Sequence, residues 1–305
     1  MKMNVLSLCD GMSCGQIALK ELNINIENYF ASEIYDKAIK VTQENFPNTI
    51  QIGDLINLRD NKEFLNSLPK IDLIYFGSPC RNVSKVVNGR NEYNGGLKGQ
   101  ESWLFYPCAE ILNYIKSYNN KDVLFLCENV DGMSKQDREE VSKTLGVNYI
   151  QIDSNLFSAG DRVRLYWTNI PYDVFELPKE NGIVLKDILE KNVPEEYYYN
   201  CGFTFHGYDK KVCATLFLKG HDIMKRVNNE NFKSATLTSC RGGNLQKKVF
   251  DTKKNLPRKL TPNEYRKIQT IPDWYKMNVA KSHIYNMCGD GWTIEVIKWF
   301  FKFIP

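Results

Sequence analysis

A cysteine follows a predicted buried strand in the segment Gly-Ser-Pro-Cys at residues 77–80. Residues 71–76 are mostly apolar, and such a run ending in Gly-Ser-Pro predicts a buried parallel strand that opens into a loop, since proline cannot extend the hydrogen-bond ladder. Cys80 is therefore expected at the carboxyl end of a strand, the edge where ligands bind in open α/β sheets. Arg81 adds a positive charge that favours the nucleophilic thiolate, although a lone cysteine in a reduced protein is more often structural.

Polar groups end a second predicted buried strand. The apolar run at 123–127 leads directly into Glu128 and Asn129. A carboxylate in that position is costly to bury unless it has a partner or a task. Glu128 and Cys80 are therefore predicted to end two strands of one sheet.

Two arginines lie in a later stretch of alternating polar and apolar residues, 161–168. Because side chains alternate across a strand, Arg162 and Arg164 at i and i+2 are predicted to project to the same face. A solvated face is the commoner role of such a pair, so the spacing alone leaves their function open.

The first elements of the chain have the pattern of a nucleotide-binding α/β unit. Residues 3–22 predict a strand, a glycine-containing loop and a helix. Glu33 follows a second predicted strand, 18 positions after Gly15, where an acid can accept hydrogen bonds from ribose hydroxyls; the N-cap region of the next helix is the alternative. A third short strand leads to Asp54. The sequence has no phosphate loop and no complete G-x-G-x-x-G, so a sulfonium nucleoside such as S-adenosylmethionine fits better than a pyrophosphate cofactor.

The composition is that of an ordinary soluble globular protein. Of the 305 residues, 43% are hydrophobic and 25% are charged. No apolar run approaches the ~18 residues that span a bilayer, and Asp10 interrupts the N-terminal apolar stretch, so the sequence predicts a cytoplasmic protein with no membrane partner. The nine cysteines form no C-x-x-C pair, which gives no sign of a metal site or a disulfide framework.

The net charge of +4 is unevenly distributed. Residues 201–260 contain 13 lysines and arginines against 4 acidic residues, so the rest of the chain is acidic overall. This asymmetry favours a polyanionic partner, most commonly nucleic acid. The same region predicts short strands without a convincing helix, and we expect a second, smaller domain there. A helix is predicted to follow, with Thr261 as its N-cap and Pro262 at its first position.

Six short motifs occur in order along the chain. They are Leu-Cys-Asp-Gly-Met-Ser-Cys-Gly at 8–15, Gly-Ser-Pro-Cys at 77–80, Glu-Asn-Val at 128–130, Arg-Val-Arg at 162–164, Arg-Lys-Leu-Thr-Pro-Asn-Glu-Tyr-Arg-Lys-Ile-Gln at 258–269 and Gly-Asp-Gly-Trp-Thr at 289–293. Their order and spacing resemble those of the cytosine carbon-5 DNA methyltransferases over the whole chain. The form resembles the small phage, prophage and restriction-type enzymes, and the Pro-Cys and Arg-x-Arg neighbourhoods also resemble the vertebrate de novo methyltransferases.

The resemblance implies a two-domain α/β protein. A Rossmann-like, S-adenosylmethionine-dependent methyltransferase domain would comprise residues 1–171 and 261–305, and a small, mostly β or irregular target-recognition domain would comprise 172–260. Double-stranded DNA is the implied partner, S-adenosyl-L-methionine the cofactor and S-adenosyl-L-homocysteine its product. The target cytosine would have to be flipped out of the duplex to be reached.

The resemblance also assigns roles to residues. Cys80 matches the nucleophile that adds to carbon 6 of cytosine. Glu128 would hold N3 and share a proton there, while Arg164, helped by Arg162, would stabilise the carboxylate and the base carbonyl. Cofactor contacts are implied for Cys9, Asp10, Gly11, Met12, Gly15, Glu33 (ribose), Asp54 (adenine amino group), Ser78, Pro79 and Trp292. DNA contacts are implied for Arg81, Ser84, Thr236, Thr238, Arg241, Gly242, Gly243 and Asn244.

The chain departs from the family pattern at several positions. Cys9 stands where Phe is common, Arg81 where Gln or Asn is common, and Asp290 where Asn is common. Gly160-Asp161 replaces the usual Gln before Arg162. Arg81 could bind a phosphate or the orphaned strand, or indicate an altered substrate, but none of these changes removes a catalytic group.

Two other functions are consistent with parts of the sequence. A tRNA cytosine methyltransferase of the same fold would carry Cys-Phe-Thr, and this chain has Cys-Gly-Phe-Thr at 201–204, with a glycine inserted. A non-catalytic DNA-binding relative is the second alternative, but it would have no need to keep Cys80, Glu128 and Arg164 together. The recognition sequence, the oligomeric state and a cognate restriction endonuclease as partner are left open.

Overall fold

The computed structural model describes residues 2–80, 83 and 95–305 of the chain. The chain divides into two compact units. Unit 1 comprises Met1–Ile152, Val163–Val174 and Ile297–Pro305, and unit 2 comprises Asp153–Arg162 and Phe175–Val296. The predicted boundaries between a catalytic and a recognition domain concern function, and they stay a prediction.

Unit 1 is built around one β-sheet. Its strands are β1 (Met3–Leu8), β2 (Ile26–Ser32), β3 (Ile50–Gln51), β4 (Leu73–Gly77), β5 (Leu124–Val130), β6 (Tyr149–Asp153) and β7 (Val163–Thr168). They lie in the order β3-β2-β1-β4-β5-β7-β6; β3 to β5 pair in parallel, and β7 runs antiparallel to β5. The strand order reverses between β1 and β4, and ligands of open α/β sheets bind at the carboxyl ends of the strands at such a point.

The central strands of unit 1 are buried on both faces. Leu73 to Phe76 in β4 and Phe125 to Cys127 in β5 are at most 2% exposed. Since successive side chains point to opposite faces, continuous apolar runs of this kind are typical of parallel strands covered on both sides. The α-helices described in unit 1 before β7 are α1 (Cys14–Glu21), α2 (Asp36–Asn45), α3 (Leu55–Asp60), α4 (Lys62–Ser67), α5 (Phe105–Tyr118) and α6 (Lys135–Leu145).

Unit 2 contains a second, smaller sheet. Its strands are β8 (Phe203–Phe205), β9 (Val212–Leu216), β10 (Arg226–Asn229), β11 (Lys248–Asp251) and β12 (Leu256–Lys259). They lie in the order β12-β11-β10-β9-β8, with β10 and β11 parallel and the other pairs antiparallel. Cys213, Leu216, Val227 and Phe250, all within these strands, form a small apolar core. The predicted short strands are confirmed, and residues 200–256, all of them described, contain no α-helix.

Four further α-helices follow among the described residues of the chain. They are α7 (Leu185–Ile188), α8 (Pro262–Ile268), α9 (Lys281–Asp290) and α10 (Ile294–Phe301), which begins in unit 2 and continues in unit 1. Thr261 caps α8 as predicted: its Oγ1 accepts a hydrogen bond from Glu264 N, and the Glu264 carboxylate accepts one from Thr261 N. Among the described helices, none is long and apolar enough to cross a bilayer.

Candidate active site

The predicted nucleophile and carboxylate lie at the ends of neighbouring strands. Gly77 at the end of β4 is opposite Glu128 of β5 in the parallel register. Asn129 Nδ2 donates to Oγ of Ser78 at 3.2 Å and to its carbonyl oxygen at 3.4 Å. These contacts join the Gly-Ser-Pro-Cys loop to the Glu-Asn-Val segment. Cys80 is half-buried and packs against the apolar core of unit 1, and the prediction that it shares one sheet edge with Glu128 is confirmed.

Glu128 forms an ion pair with Arg164. Arg164 Nε lies 2.9 Å from Glu128 Oε1, and the two side chains are 11% and 10% exposed. The antiparallel register of β5 and β7 places Arg164 opposite Val130, so the guanidinium reaches the carboxylate from the adjacent strand. Arg164 Nη1 also donates to the carbonyl oxygen of Val163 at 2.8 Å. A nearly buried carboxylate is therefore compensated by a charged, hydrogen-bonding partner.

Arg162 has different partners from Arg164. Strand β7 begins at Val163, which corrects the prediction of a strand that includes Arg162. Arg162 is only 6% exposed, and its guanidinium donates to the carbonyl oxygens of Leu237 (3.0 Å), Gly289 (3.1 Å) and Gly291 (2.9 Å). These carbonyls belong to unit 2, as does Arg162. The predicted contact of Arg162 with the base stays a prediction.

Glu33 connects the loop after β1 with the end of β2. Its Oε2 accepts a hydrogen bond from Gly11 N at 2.7 Å, and its Oε1 accepts bonds from the backbone N–H groups of Ile34 and Tyr35 at 2.8 Å. Gly11 has φ 58°, and no other atom lies within 4 Å of a Cβ built there, so the backbone has open space at this turn. The sequence analysis missed Ile34, whose apolar side chain is 72% exposed beside this carboxylate.

Asp54 is the N-cap of α3. Its Oδ1 accepts hydrogen bonds from the backbone N–H groups of Ile56 (2.9 Å) and Asn57 (3.1 Å). Ser32 Oγ donates to the carbonyl oxygen of Gly53 at 2.8 Å, which ties the end of β2 to the segment that positions Asp54. The predicted contact of Asp54 with the adenine stays a prediction.

A network of buried hydroxyl groups supports the loop after β1. Tyr29 OH donates to Asp10 Oδ1 at 2.7 Å and shares a hydrogen bond with the hydroxyl of Tyr75, while Ser13 Oγ donates to Tyr29 OH at 3.2 Å. Burial raises the pKa of Asp10 to about 6. A Cβ on Gly15 would lie 2.2 Å from the Tyr75 ring, so only glycine fits here. The sequence analysis missed both tyrosines, for which the signal was a polar-tipped aromatic residue within each of two buried strands.

The other predicted cofactor residues are divided between the two units. Cys9, Ser78 and Pro79 lie at the carboxyl ends of β1 and β4, and Met12 is buried in the loop after β1. Trp292 is a buried residue of unit 2. The roles proposed for these side chains toward a cofactor are taken up below.

The predicted DNA-contacting residues that the structure describes lie in unit 2. Thr236 Oγ1 donates to the carbonyl oxygen of Asp161 at 2.8 Å, and Thr238 is half-buried. Residues 241–244 form an exposed loop with glycines in the left-handed region. Arg81 and Ser84 lie outside the described residues.

The sheet of unit 1 has an antiparallel β7 that brings Arg164 to Glu128 beside the Cys80 loop. This sheet order is that of a Rossmann-like methyltransferase fold. A family model described as C-5 cytosine-specific DNA methylase matches residues 3–157 and 154–304. The chain belongs to this family, and its activity is the methylation of carbon 5 of cytosine in DNA. Base flipping and a covalent cysteine adduct are general to the family. The family, fold class and enzyme activity predicted from the sequence are confirmed.

Individual relatives are similar at a low level of identity. The orphan methyltransferase M.SPBetaI of Bacillus phage SPbeta is 25% identical over 352 residues, covering 88% of this chain and 78% of the relative. The type II methyltransferase M.HpaII of Haemophilus parainfluenzae is 23% identical over 337 residues, covering 97% of this chain and 87% of the relative. The S. pombe Dnmt2 methyltransferase structure superposes with a TM-score of 0.67 at 16% identity, covering 99% and 98% of the two chains, and this likeness supports the fold alone.

Proposed function

We propose that the enzyme methylates cytosine within a short sequence of double-stranded DNA, with Cys80 as the nucleophile, Glu128 and Arg164 at the base, and S-adenosylmethionine as methyl donor. The observation that carries this proposal is the meeting of Glu128 and Arg164, 2.9 Å apart, at the sheet edge where the Cys80 loop follows β4. The three groups come from three adjacent strands of one sheet, which suits a rigid catalytic arrangement.

Cys80 supplies the covalent step. Its thiolate forms a bond to carbon 6 of the flipped cytosine, and the electron pair of the 5,6 double bond moves toward carbon 5, which becomes nucleophilic. Glu128 holds N3 and shares a proton there, so that negative charge does not accumulate on the ring. Arg164 keeps the Glu128 carboxylate in place and stabilises charge at the base carbonyl. Once carbon 5 carries the methyl group that S-adenosylmethionine would supply, loss of the carbon 5 proton to solvent and expulsion of the Cys80 sulfur restore the 5,6 double bond.

The residues at the carboxyl ends of β1 and β2 fit a nucleoside cofactor. The Glu33 carboxylate is oriented by three backbone N–H groups and would hold ribose hydroxyls, while the exposed Ile34 offers an apolar surface for the adenine. Asp54 would receive the adenine amino group, and residues 9–15, with Ser78 and Pro79, would border the methionine end. By resemblance, a cofactor contact is also proposed for Trp292. When bound, S-adenosylmethionine supplies an electrophilic methyl group at its sulfonium.

Arg162 is best suited to a positioning role. Three backbone carbonyls occupy its buried guanidinium, one from the segment that contains Thr236 and Thr238 and two from the end of α9. We propose that Arg162 holds these segments of unit 2 in the arrangement that DNA recognition needs. Residues 241–244 of the same unit are proposed to read base edges.

Bisulfite sequencing of plasmid DNA from cells that express the enzyme or its Cys80→Ser variant tests the proposal. We expect the enzyme to protect cytosines in one short sequence context from bisulfite conversion. No such protection is expected in DNA from cells that express the variant. Cys80→Ser should still bind S-adenosylmethionine in a titration, because the thiol is not needed to hold the cofactor. Methylation by the variant would overturn the proposal that Cys80 forms a covalent adduct. Protected cytosines in tRNA, with none in duplex DNA, would overturn the proposal that duplex DNA is the substrate.

A further inference from the structure

A short exposed loop in unit 2 projects the residues proposed to read DNA. This recognition loop comprises residues 241–246. Gly242 and Gly243 have φ of 104° and 71°, in the left-handed region that glycine adopts without strain. Arg241 and Asn244 are exposed, and Leu245 is 52% exposed. The loop therefore presents side chains to solvent on a backbone that glycines alone would leave flexible.

A buried lysine donates hydrogen bonds to the backbone of the recognition loop. Lys248 at the start of β11 is 1% exposed, and its Nζ donates to the carbonyl oxygens of Asn244 at 2.7 Å and Gln246 at 2.9 Å. Both carbonyls are thereby directed toward the interior of unit 2. A charged donor makes stronger hydrogen bonds to carbonyls than a neutral one.

The position of Lys248 is unfavourable for folding alone. Lys259 lies directly opposite Lys248 in the antiparallel register of β11 and β12, and like charges opposite each other destabilise a sheet. Burial, together with the charges of Lys247 and Lys259, lowers the pKa of Lys248 to about 8. A methionine of similar length would avoid both the burial of a charge and the repulsion from Lys259. The hydrogen bonds from the Lys248 ammonium group to the loop carbonyls therefore explain why a lysine stands here.

Two further contacts hold Asn244 within the recognition loop and Lys247 directly after it. Tyr199 OH donates to Asn244 Oδ1 at 3.3 Å, and the backbone N–H of Lys247 donates to Tyr265 OH at 2.7 Å. The ammonium of Lys248 lies 5.8 Å from the centre of the Tyr199 ring, so the lysine and the tyrosine form one support under Asn244.

We propose that Lys248 is a positioning residue for sequence discrimination, which orients the recognition loop without touching DNA. This inference rests on the proposed function, in which residues 241–244 read base edges. By fixing the carbonyls of Asn244 and Gln246 inward, Lys248 keeps Arg241 and Asn244 in one outward arrangement. The loss of this support leaves the chemistry intact and weakens the distinction between the cognate site and near-cognate sites.

The experiment compares Lys248→Met with Lys259→Met in the full-length enzyme. The wild-type target is first determined by bisulfite sequencing, and each protein is then assayed for kcat and KM on a duplex with that target and on duplexes with one altered base pair. Lys259→Met is the matched control, because it removes the same charge from the facing position. Lys259 also lies over the Tyr199 ring, at 5.4 Å, so the two variants differ in the hydrogen bonds that Lys248 donates to the loop carbonyls. Thermal unfolding is measured for each protein.

We expect Lys248→Met to lower discrimination by about tenfold, the effect of losing one base contact. Its kcat at saturating cognate DNA and its melting temperature should stay close to the wild-type values. Lys259→Met should change the affinity for all sequences alike and keep the discrimination ratio. If Lys248→Met does not fold, Lys248→Gln is scored in the same way.

Unchanged discrimination in Lys248→Met, or an equal loss in Lys259→Met, would overturn the positioning role. Failure of both Lys248 variants to fold would also overturn it, because Lys248 would then be needed for the fold itself. A wild-type enzyme that methylates no duplex DNA would refute the proposed function instead, and that result is obtained before any variant is compared.

Discussion

At the scale of single residues, the proposed catalytic pair of Glu128 and Arg164 is nearly buried, and each charge is compensated by the other. Both side chains are about one-tenth exposed, with Nε and Oε1 2.9 Å apart. Because Glu128 is proposed to share a proton with the base, Glu128→Gln is expected to lower kcat by about 10²- to 10⁴-fold, the usual contribution of a general acid or base. The affinity for S-adenosylmethionine should change far less. Single-turnover methylation and calorimetric titration measure the two quantities.

Glu139 in α6 is the matched control for Glu128. Its carboxylate pairs with Lys135 at 3.7 Å while 67% exposed, and exposed ion pairs contribute little. Glu139→Gln is expected to methylate DNA at the wild-type rate. Wild-type kcat in Glu128→Gln, or a loss confined to cofactor affinity, would remove Glu128 from the reaction.

Asp10 predicts a pH dependence of stability in the protein without cofactor. Burial, opposed by the hydrogen bond from Tyr29 and reinforced by the charge of Glu33, raises the pKa of Asp10 from 3.8 to about 6. The folded state then binds the proton more tightly than the unfolded state. The stabilisation is complete below about pH 4 and is lost as the pH rises through about 6.

Asp10→Asn removes this titration. Between about pH 4 and pH 7, the free energy of unfolding of the variant should rise relative to that of the wild type by on the order of 3 kcal/mol, because the pKa of Asp10 is raised by about two pH units. The difference between the two proteins should stay constant at higher pH. Urea unfolding at a series of pH values measures the difference. A difference that does not vary with pH would show that Asp10 does not titrate in this range.

At the scale of elements, a buried ion pair joins β12 to the start of α8. Arg258 and Glu264 are 1% and 0% exposed, and Arg258 donates two hydrogen bonds of 2.7 and 2.8 Å to the Glu264 carboxylate. Glu264→Gln leaves a buried guanidinium without its counter-charge and weakens the cap of α8, so a loss of about 3–5 kcal/mol is expected in chemical unfolding.

The control for this pair is Glu196→Gln, since the Lys281–Glu196 pair is about 60% exposed on both sides. This variant should unfold at nearly the wild-type denaturant concentration. The double variant Arg258→Met/Glu264→Leu should recover part of the stability lost in Glu264→Gln, because it removes the uncompensated charge. A mild effect of Glu264→Gln would mean that water or Asp251 compensates Arg258 instead.

The elements that local sequence signals define were predictable, and the long-range contacts were not. Proline after Gly77 and the box of Thr261 and Glu264 act over a few residues, so their patterns indicate a strand end and a helix start directly. The carbonyls that Arg162 binds lie 75 to 129 positions away in sequence, and an arginine before a strand gives no sign of them. The same holds for Lys248, which in sequence is one lysine among many in a basic region.

At the scale of the whole molecule, the net charge differs strongly between residues 201–260 and the rest of the chain. The net charge of +4 combines the strongly basic residues 201–260 with an acidic remainder. An acidic remainder repels the phosphate backbone, while the basic region attracts it, so the asymmetry itself favours one orientation of the duplex. Phosphate contacts of this kind position a protein on DNA, and base contacts specify the sequence.

The salt dependence of DNA binding tests this orientation. Each phosphate neutralised by a lysine releases counterions, so losing one such contact should lower the slope of log affinity against log salt by about 0.9. The exposed Lys219 and Lys253 lie in the basic region, and the exposed Lys121 and Lys135 in unit 1 are their matched controls. Lys219→Ala/Lys253→Ala should weaken binding to every sequence alike and flatten the slope, because the lost interaction is with the backbone. An unchanged slope in that variant, with a flattened slope in Lys121→Ala/Lys135→Ala, would place the DNA on unit 1.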